Sequence, residues 1–331
     1  MPRLTRRQFA QSIFAGAAAL GFGIRPASAA PRTLTVASLF GDDKPETRIW
    51  IRFSEELEKR LPGRFHINIA RNAALGGEKE VAEGIRLGSV QGTITTVSTL
   101  SNWVPAGQIL DLPFVFRDAG HVGRVLDGPL GAELKEQYIA QGFRVLGYIN
   151  YGARHLLSKE PITTPEQIKG KRIRVIQSPL HTELWKGYGA NPTPIPIPEV
   201  YNALKSGVVE AMDLTKSAYA GFKLYEVVPF LTETAHIWAV GVIHIGEKVW
   251  QSLSEEERNA FSAAGAEAAR HFNALIVEDE VRSVEQAIAK GAKIIQPANH
   301  KDWEQGARPI WDSFAARVGG AAKIQRIVAT A

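Results

Sequence analysis

Apolar and polar positions after the first thirty residues switch repeatedly between two periods. An apolar run at 34–39 reads as a strand, and helical spacing of Ile49, Trp50, Phe53 and Leu57 makes 46–60 a helix. Residues 65–70 alternate again before Gly76-Gly77 opens another helix. The same grammar predicts strands at 93–97, 143–149, 173–176 and 207–212, and helices at 131–141, 182–188 and 198–206. Strands alternating with helices predict parallel sheets flanked by helices, an α/β fold. No repeat or low-complexity linker interrupts the chain, so two lobes would be joined by strands crossing between them.

Near the C-terminus, Ser254-Glu255-Glu256-Glu257 forms a capping box with extra acid in the first turn. Only Gly265 weakens the helical pattern before Gly291. A helix of that length, roughly 50 Å at 1.5 Å per residue, is longer than one lobe is wide and would brace both. Two helices broken near Gly265 or Asn273 are the alternative.

The first 29 residues read as an export leader. Arg6-Arg7 precede the apolar stretch Ile13-Phe14-Ala15-Gly16-Ala17-Ala18-Ala19-Leu20, and Ala27-Ser28-Ala29 offers small residues for a peptidase. The stretch is far short of the roughly 20 residues that span a bilayer. The paired arginines point to the twin-arginine route, cleavage falls before Ala30, and the destination is the periplasm. Removing the leader leaves roughly 300 residues, enough for two lobes with a core each.

Charge and composition narrow the function. The chain has 39 Lys and Arg against 34 Asp and Glu; Arg3, Arg6, Arg7 and Arg25 belong to the leader, so 35 cations remain. A nearly neutral chain with only short basic stretches, such as Lys169-Gly170-Lys171-Arg172, argues against nucleic acid as a partner. The absence of cysteine excludes disulfides and thiolate chemistry. Eight histidines are scattered without the i, i+4 spacing of a zinc protease, and no nucleophile elbow, P-loop or strand-linked dinucleotide fingerprint is present. No metal, cofactor or enzymatic activity is therefore expected. Acidic residues such as Glu78 and Glu80 read as a solvated face.

Two arginines stand out. Arg154 follows Asn150-Tyr151-Gly152-Ala153 at the end of an apolar strand, where open α/β sheets place ligand crevices. Arg172 and Arg174 share one face of another strand; an arginine midway along an apolar strand needs an anionic partner or a wet cleft, although an exposed edge with two solvated arginines also satisfies the spacing.

Four motifs occur in a characteristic order: Leu75-Gly76-Gly77-Glu78 with Gly88-Ser89-Val90; Asp111-Leu112-Pro113-Phe114-Val115-Phe116; Lys169-Gly170-Lys171-Arg172-Ile173-Arg174-Val175; and Gly189-Ala190-Asn191-Pro192-Thr193-Pro194 followed by Glu199-Val200-Tyr201-Asn202-Ala203-Leu204-Lys205-Ser206-Gly207-Val208-Val209-Glu210. In these the sequence resembles the DctP-type solute-binding subunit of TRAP transporters, the tripartite ATP-independent periplasmic carriers, over nearly all of the chain after the leader. The resemblance implies a two-lobe periplasmic-binding-protein fold, with one lobe near 30–150, the other near 151–250, and each taking part of the C-terminal region. It implies a monomer that closes around a small organic carboxylate and delivers it to membrane subunits. A subunit that presents its ligand to a sensor, or a periplasmic enzyme acting on a carboxylate, is the alternative.

Position by position, Arg174 matches the family's carboxylate-clamping arginine, whose planar fork suits a two-pronged pair. Arg154 matches a second arginine that reaches the carboxylate in sialic-acid binders. Ser38 and Phe40 match the first-strand end that lines the cleft, Thr96 and Thr99 match the loop after the third strand, and Gln177 follows the clamp. Where sialic-acid binders carry an asparagine, this chain has Leu214 preceded by Asp213. Asp213 is then expected to accept from a ligand hydroxyl or ammonium, with Leu214, Ile197, Trp238 and Phe40 as an apolar wall for an acid smaller or less polar than a sugar acid. A place in the core remains the other reading of Ile197 and Trp238.

Overall fold

A computed structural model describes residues 30–331, and the leader read at 1–29 lies outside the described residues. Nine strands form one sheet in the order β2-β1-β3-β8-β4-β7-β5-β6, with β9 paired to β8. In chain order these are β1 (Arg32–Ala37), β2 (Phe65–Ala70), β3 (Gly92–Thr96), β4 (Phe143–Ser158), β5 (Arg172–Val175), β6 (Asn191–Pro194), β7 (Ala211–Thr215), β8 (Phe230–Gly246) and β9 (Lys293–Ile295). The helices used below are α1 (Pro45–Arg60), α2 (Glu78–Leu87), α3 (Val97–Leu100), α4 (Pro179–Gly187), α5 (Ile197–Lys205), α6 (Lys216–Gly221) and α7 (Glu255–Ala289).

The sheet is parallel at its two ends, and β9 adds a short parallel pairing to β8. β1 pairs in parallel with β2 and β3, and β5 does so with β6 and β7. Between them, β8 runs antiparallel to β3 and β4, and β4 antiparallel to β7. The expected all-parallel pattern is corrected in the middle because β4 carries the chain from one end of the sheet to the other and β8 carries it back. Each end forms a lobe with its own helices, and β4 and β8, 16 and 17 residues long, belong to both. At about 3.4 Å per residue they run more than 50 Å, about three times the usual strand.

Both crossing strands are bent rather than broken. Their pairing slips between Asn150 and Ala153 and between Arg154 and Leu156, with Gly152 at φ 94° and Ala235 at φ 44°. These slips are β-bulges, which kink a strand without ending it. Arg154 therefore lies inside β4 and not beyond its end. Likewise the strand expected at 207–212 begins only at Ala211: Gly207, at φ 79°, closes α5, which moves Asp213 and Leu214 from a loop into β7.

The long helix is continuous. α7 has 35 residues, and Ser254 and Glu257 make the reciprocal capping box. Gly265 does not break it, because there the helix presses on β4: a Cβ at Gly265 would lie 2.4 Å from the Leu146 Cβ, and one at Gly147 would lie 2.7 Å from the Ala269 Cβ. Phe261 and Phe272 pack edge-on against Phe53 and Tyr151, so this half of α7 seals the core of the first lobe. Beyond Ile276 two of the three buried positions, Asp279 and Ser283, are polar. The Asp279 carboxylate accepts from Lys44 Nζ at 2.6 Å and from Ser217 Oγ at 2.5 Å, joining the residue that precedes α1 to the start of α6 in the second lobe.

Burial alone would raise the Asp279 carboxyl; the bonds from Lys44, Ser217 and Arg282 outweigh it and hold the group below its ordinary value. Asp279→Ala leaves the Lys44 ammonium buried beside Ser283 without an anion, which is expected to cost about 3–5 kcal/mol in urea denaturation. Lys44→Met combined with Asp279→Leu should recover most of that loss. An Asp279→Ala chain as stable as the parent would show that this joint carries no stability.

Candidate functional site

A cavity lies where the two lobes meet. The first lobe contributes Phe40, Glu46, Glu78, Thr96 and Thr99; the crossing strands contribute Tyr151, Arg154 and Ala239; the second lobe contributes Arg174, Gln177, Ile197, Leu214 and Phe222.

Arg174 is 2% exposed, midway along β5. Its Nε donates to the Ile195 carbonyl at 2.8 Å, and among the described residues no carboxylate lies within ion-pairing distance of it. Burial, with the charge of Arg154 adding to it, pulls the guanidinium down to about 10. The rest of its donor fork has no acceptor among the described residues, so it is available to an anion in the cavity. Arg172, two residues earlier, is exposed and already committed to Glu210 and to the Gly207 and Val208 carbonyls.

Arg154 is buried as deeply but is paired. Its Nε donates to Asp213 Oδ2 at 2.5 Å and its Nη2 to the Asp213 carbonyl at 2.8 Å. His236 Nε2 lies 3.2 Å from the same carboxylate oxygen. Burial pushes Asp213 up, but the Arg154 charge and the His236 bond more than offset it, and the carboxyl stays well below its ordinary value. Arg154 thus faces the cavity as half of a neutralised pair.

Eight expected residues line the cavity: Phe40, Thr96, Thr99, Arg154, Arg174, Gln177, Ile197 and Leu214. Three do not. Asp213 points to the opposite side of β7 from Leu214, as strand alternation requires, and is taken up by Arg154 and His236. Trp238 alternates in the same way with Ala239 and lines a separate groove with Asn150, Gly152 and Glu280. Ser38 spends its hydroxyl on Thr47 Oγ1, at 2.7 Å, in the turn before α1. Thr96 and Thr99 also differ from expectation, because their hydroxyl protons go to Glu78, each at 2.7 Å.

The reading of Glu78 as a solvated acid is corrected: it opens α2 and turns into the cavity, whereas Glu80 is exposed. Two further titratable residues were not foreseen. Tyr151 comes from the β4 bulge. Glu46, on the first turn of α1, is 4% exposed, and its Oε2 has no hydrogen-bond partner among the described residues. Acid in a first helical turn reads as macrodipole compensation, which hid both glutamates.

Burial raises the Glu46 carboxyl to about 7 from its ordinary 4.5, with Lys44 opposing and Asp279 and Asp43 adding. The folded chain therefore holds this proton more tightly than the unfolded one. The stability associated with it is fully present below about pH 4.5 and is lost as pH rises through about 7. Glu46→Gln should stabilise the chain at pH 8 by on the order of 1–3 kcal/mol, seen as a higher melting temperature, and the gain should shrink toward pH 4.5. A gain independent of pH in thermal scans would rule out an ionised Glu46 as its source.

Among the described residues no group of three or more His, Asp or Glu could hold a metal ion, and no helix is long and apolar enough to cross a membrane. The family described as bacterial extracellular solute-binding protein, family 7, matches residues 37–317. A solute-binding protein of Verminephrobacter eiseniae is 32% identical over 271 residues, 82% of this chain and 81% of that one. The crystal structure of a TRAP periplasmic solute-binding protein from a Bradyrhizobium species, in complex with D-galacturonate, is 32% identical with a TM-score of 0.87, covering 90% of this chain and 99% of the other. Another from Shewanella oneidensis, with bound succinate, is 25% identical with a TM-score of 0.87, covering 91% and 99%. With a matched segment running from the end of β1 to beyond α7, the chain belongs to the DctP family, bacterial extracellular solute-binding protein family 7.

Proposed function

We propose that this chain is the periplasmic receptor of a TRAP transporter, which closes its lobes on a small organic acid and passes the acid to the membrane subunits. The observation that carries this reading is Arg174: a buried guanidinium without a carboxylate partner, facing a cavity between two lobes. Burying such a charge is costly unless an anion pairs with it. A ligand carboxylate supplies the anion and matches the planar fork with two parallel hydrogen bonds. The solved relatives with bound galacturonate and succinate support the same ligand class. The export leader read at 1–29 puts the receptor outside the cytoplasm.

The division into lobes near 30–150 and 151–250 follows from the same reading. The β4 and β8 bulges lie at that boundary, and rotation there needs only a few residues to change their backbone angles. Apolar walls on both lobes, Phe40 and Ile94 on one and Ile197 and Leu214 on the other, lose water only when the lobes meet around a ligand. The threonine hydroxyls of the cavity donate to Glu78 and hold that carboxylate in place. Capture without turnover is the chemistry it suits.

Arg174→Ala should weaken binding of the acid by roughly 30- to 5,000-fold in calorimetry, or about 2–5 kcal/mol, while the chain still folds. Arg174→Lys keeps the charge but loses the fork and should fall between parent and alanine. Arg172→Ala should bind as the parent does. Unimpaired binding by Arg174→Ala would end the clamp reading. In solution scattering, saturating acid should reduce the radius of gyration; an unchanged value would exclude lobe closure.

A further inference from the structure

The cavity has a second pole, built from the first lobe. Of the titratable groups that line it, Arg154 is balanced by Asp213, and Arg174 awaits the ligand carboxylate; Glu46, Glu78 and Tyr151 remain. The Glu78 carboxylate is held by three neutral donors, Thr96 N at 2.9 Å and the hydroxyls of Thr96 and Thr99 at 2.7 Å each. The Glu46 Oε2 has no hydrogen-bond partner among the described residues, and the neighbouring Lys44 is spent on Asp279. Neither glutamate has a cation within ion-pairing distance among the described residues. An unpartnered acceptor buried to this degree costs about 1–3 kcal/mol, which a donor on the ligand would recover.

We propose that Glu46 is a specificity-determining residue: with Glu78 it takes a hydrogen-bond donor at the far end of the ligand, a hydroxyl or an ammonium, and rejects a second carboxylate. This rests on Arg174 clamping the first carboxylate. A dicarboxylate held by Arg174 would drive its second negative charge toward a buried acid, Glu46, and a half-buried one, Glu78, the like-charge arrangement that binding sites use to exclude a competitor. The ligand is then a monocarboxylate with a polar, non-anionic end. That separates this chain from its succinate-binding relative within one family.

Calorimetry at pH 8, above the value of about 7 to which Glu46 is raised, tests this with acids matched in length. The probes are butyrate, 4-hydroxybutyrate, 4-aminobutyrate and succinate at four carbons, and gluconate, 6-aminohexanoate and glucarate at six. At the length that binds better, the hydroxy or amino acid should bind at least about tenfold more tightly than the dicarboxylate. Whichever of the two leads identifies the donor. Glu46→Gln, which keeps the shape, should narrow that gap by about tenfold or more and leave butyrate unchanged; Glu46→Ala should behave alike if the glutamine variant folds poorly.

A dicarboxylate that binds as tightly as its hydroxy and amino counterparts overturns the proposal. So does a Glu46→Gln chain that loses butyrate as much as the donor acids, since that is a structural effect. If no acid binds, or if Arg174→Ala binds as the parent does, the carboxylate clamp has failed first and this inference falls with it.

Discussion

The ion pair between Arg154 and Asp213 sets the terms for the rest of the site. Two guanidinium groups lie buried at one cavity, and neither would be tolerated there without an anion. Asp213 meets one of them with a charge and a carbonyl, through bonds to Nε and Nη2. His236 adds a third contact from β8, so the pair also ties β7, β4 and β8 together where the two long strands are bent. One arginine is thereby made part of the scaffold, and the other is left as a cation that only something from outside can balance. Losing Asp213 would not merely loosen a strand; it would place two unbalanced cations side by side and change what the cavity attracts.

The charges divide between the lobes. Arg174 comes from the second lobe, Glu46 and Glu78 from the first, and Arg154 from the strand between. A molecule with unlike ends can therefore contact both lobes at once, each through the group it lacks internally. Asp213, and after it Glu78, raise the Arg174 guanidinium against the effects of burial and of Arg154. Selection among acids then depends on what faces the glutamates, because the arginine end treats all carboxylates alike.

Much of the frame was legible in the sequence. Helical spacing located α1 to within a residue, β2 was read with its observed bounds, and the capping box found the start of α7. Arg174 was legible because a charge inside Ile173-Arg174-Val175-Ile176 violates the pattern around it. What escaped was set by register and depth. Gly152 looks like a strand end, and only its partner strand shows that it is a bulge. Leu214 and Asp213 are adjacent, so the side of β7 that each occupies depends on where that strand begins, and Gly207 delays it. Glu46 and Glu78 look like ordinary first-turn acids; their burial comes from lobes that the local sequence does not describe.

The two crossing strands also decide when this chain becomes a folded object. Residues 143–150 of β4 complete the first lobe only after pairing with 240–246 of β8, and α7, which seals that lobe, ends at Ala289. Neither lobe can be finished while the ribosome still holds the last third of the chain, and contacts so distant in sequence form slowly. Maturation is thus a late, whole-chain event.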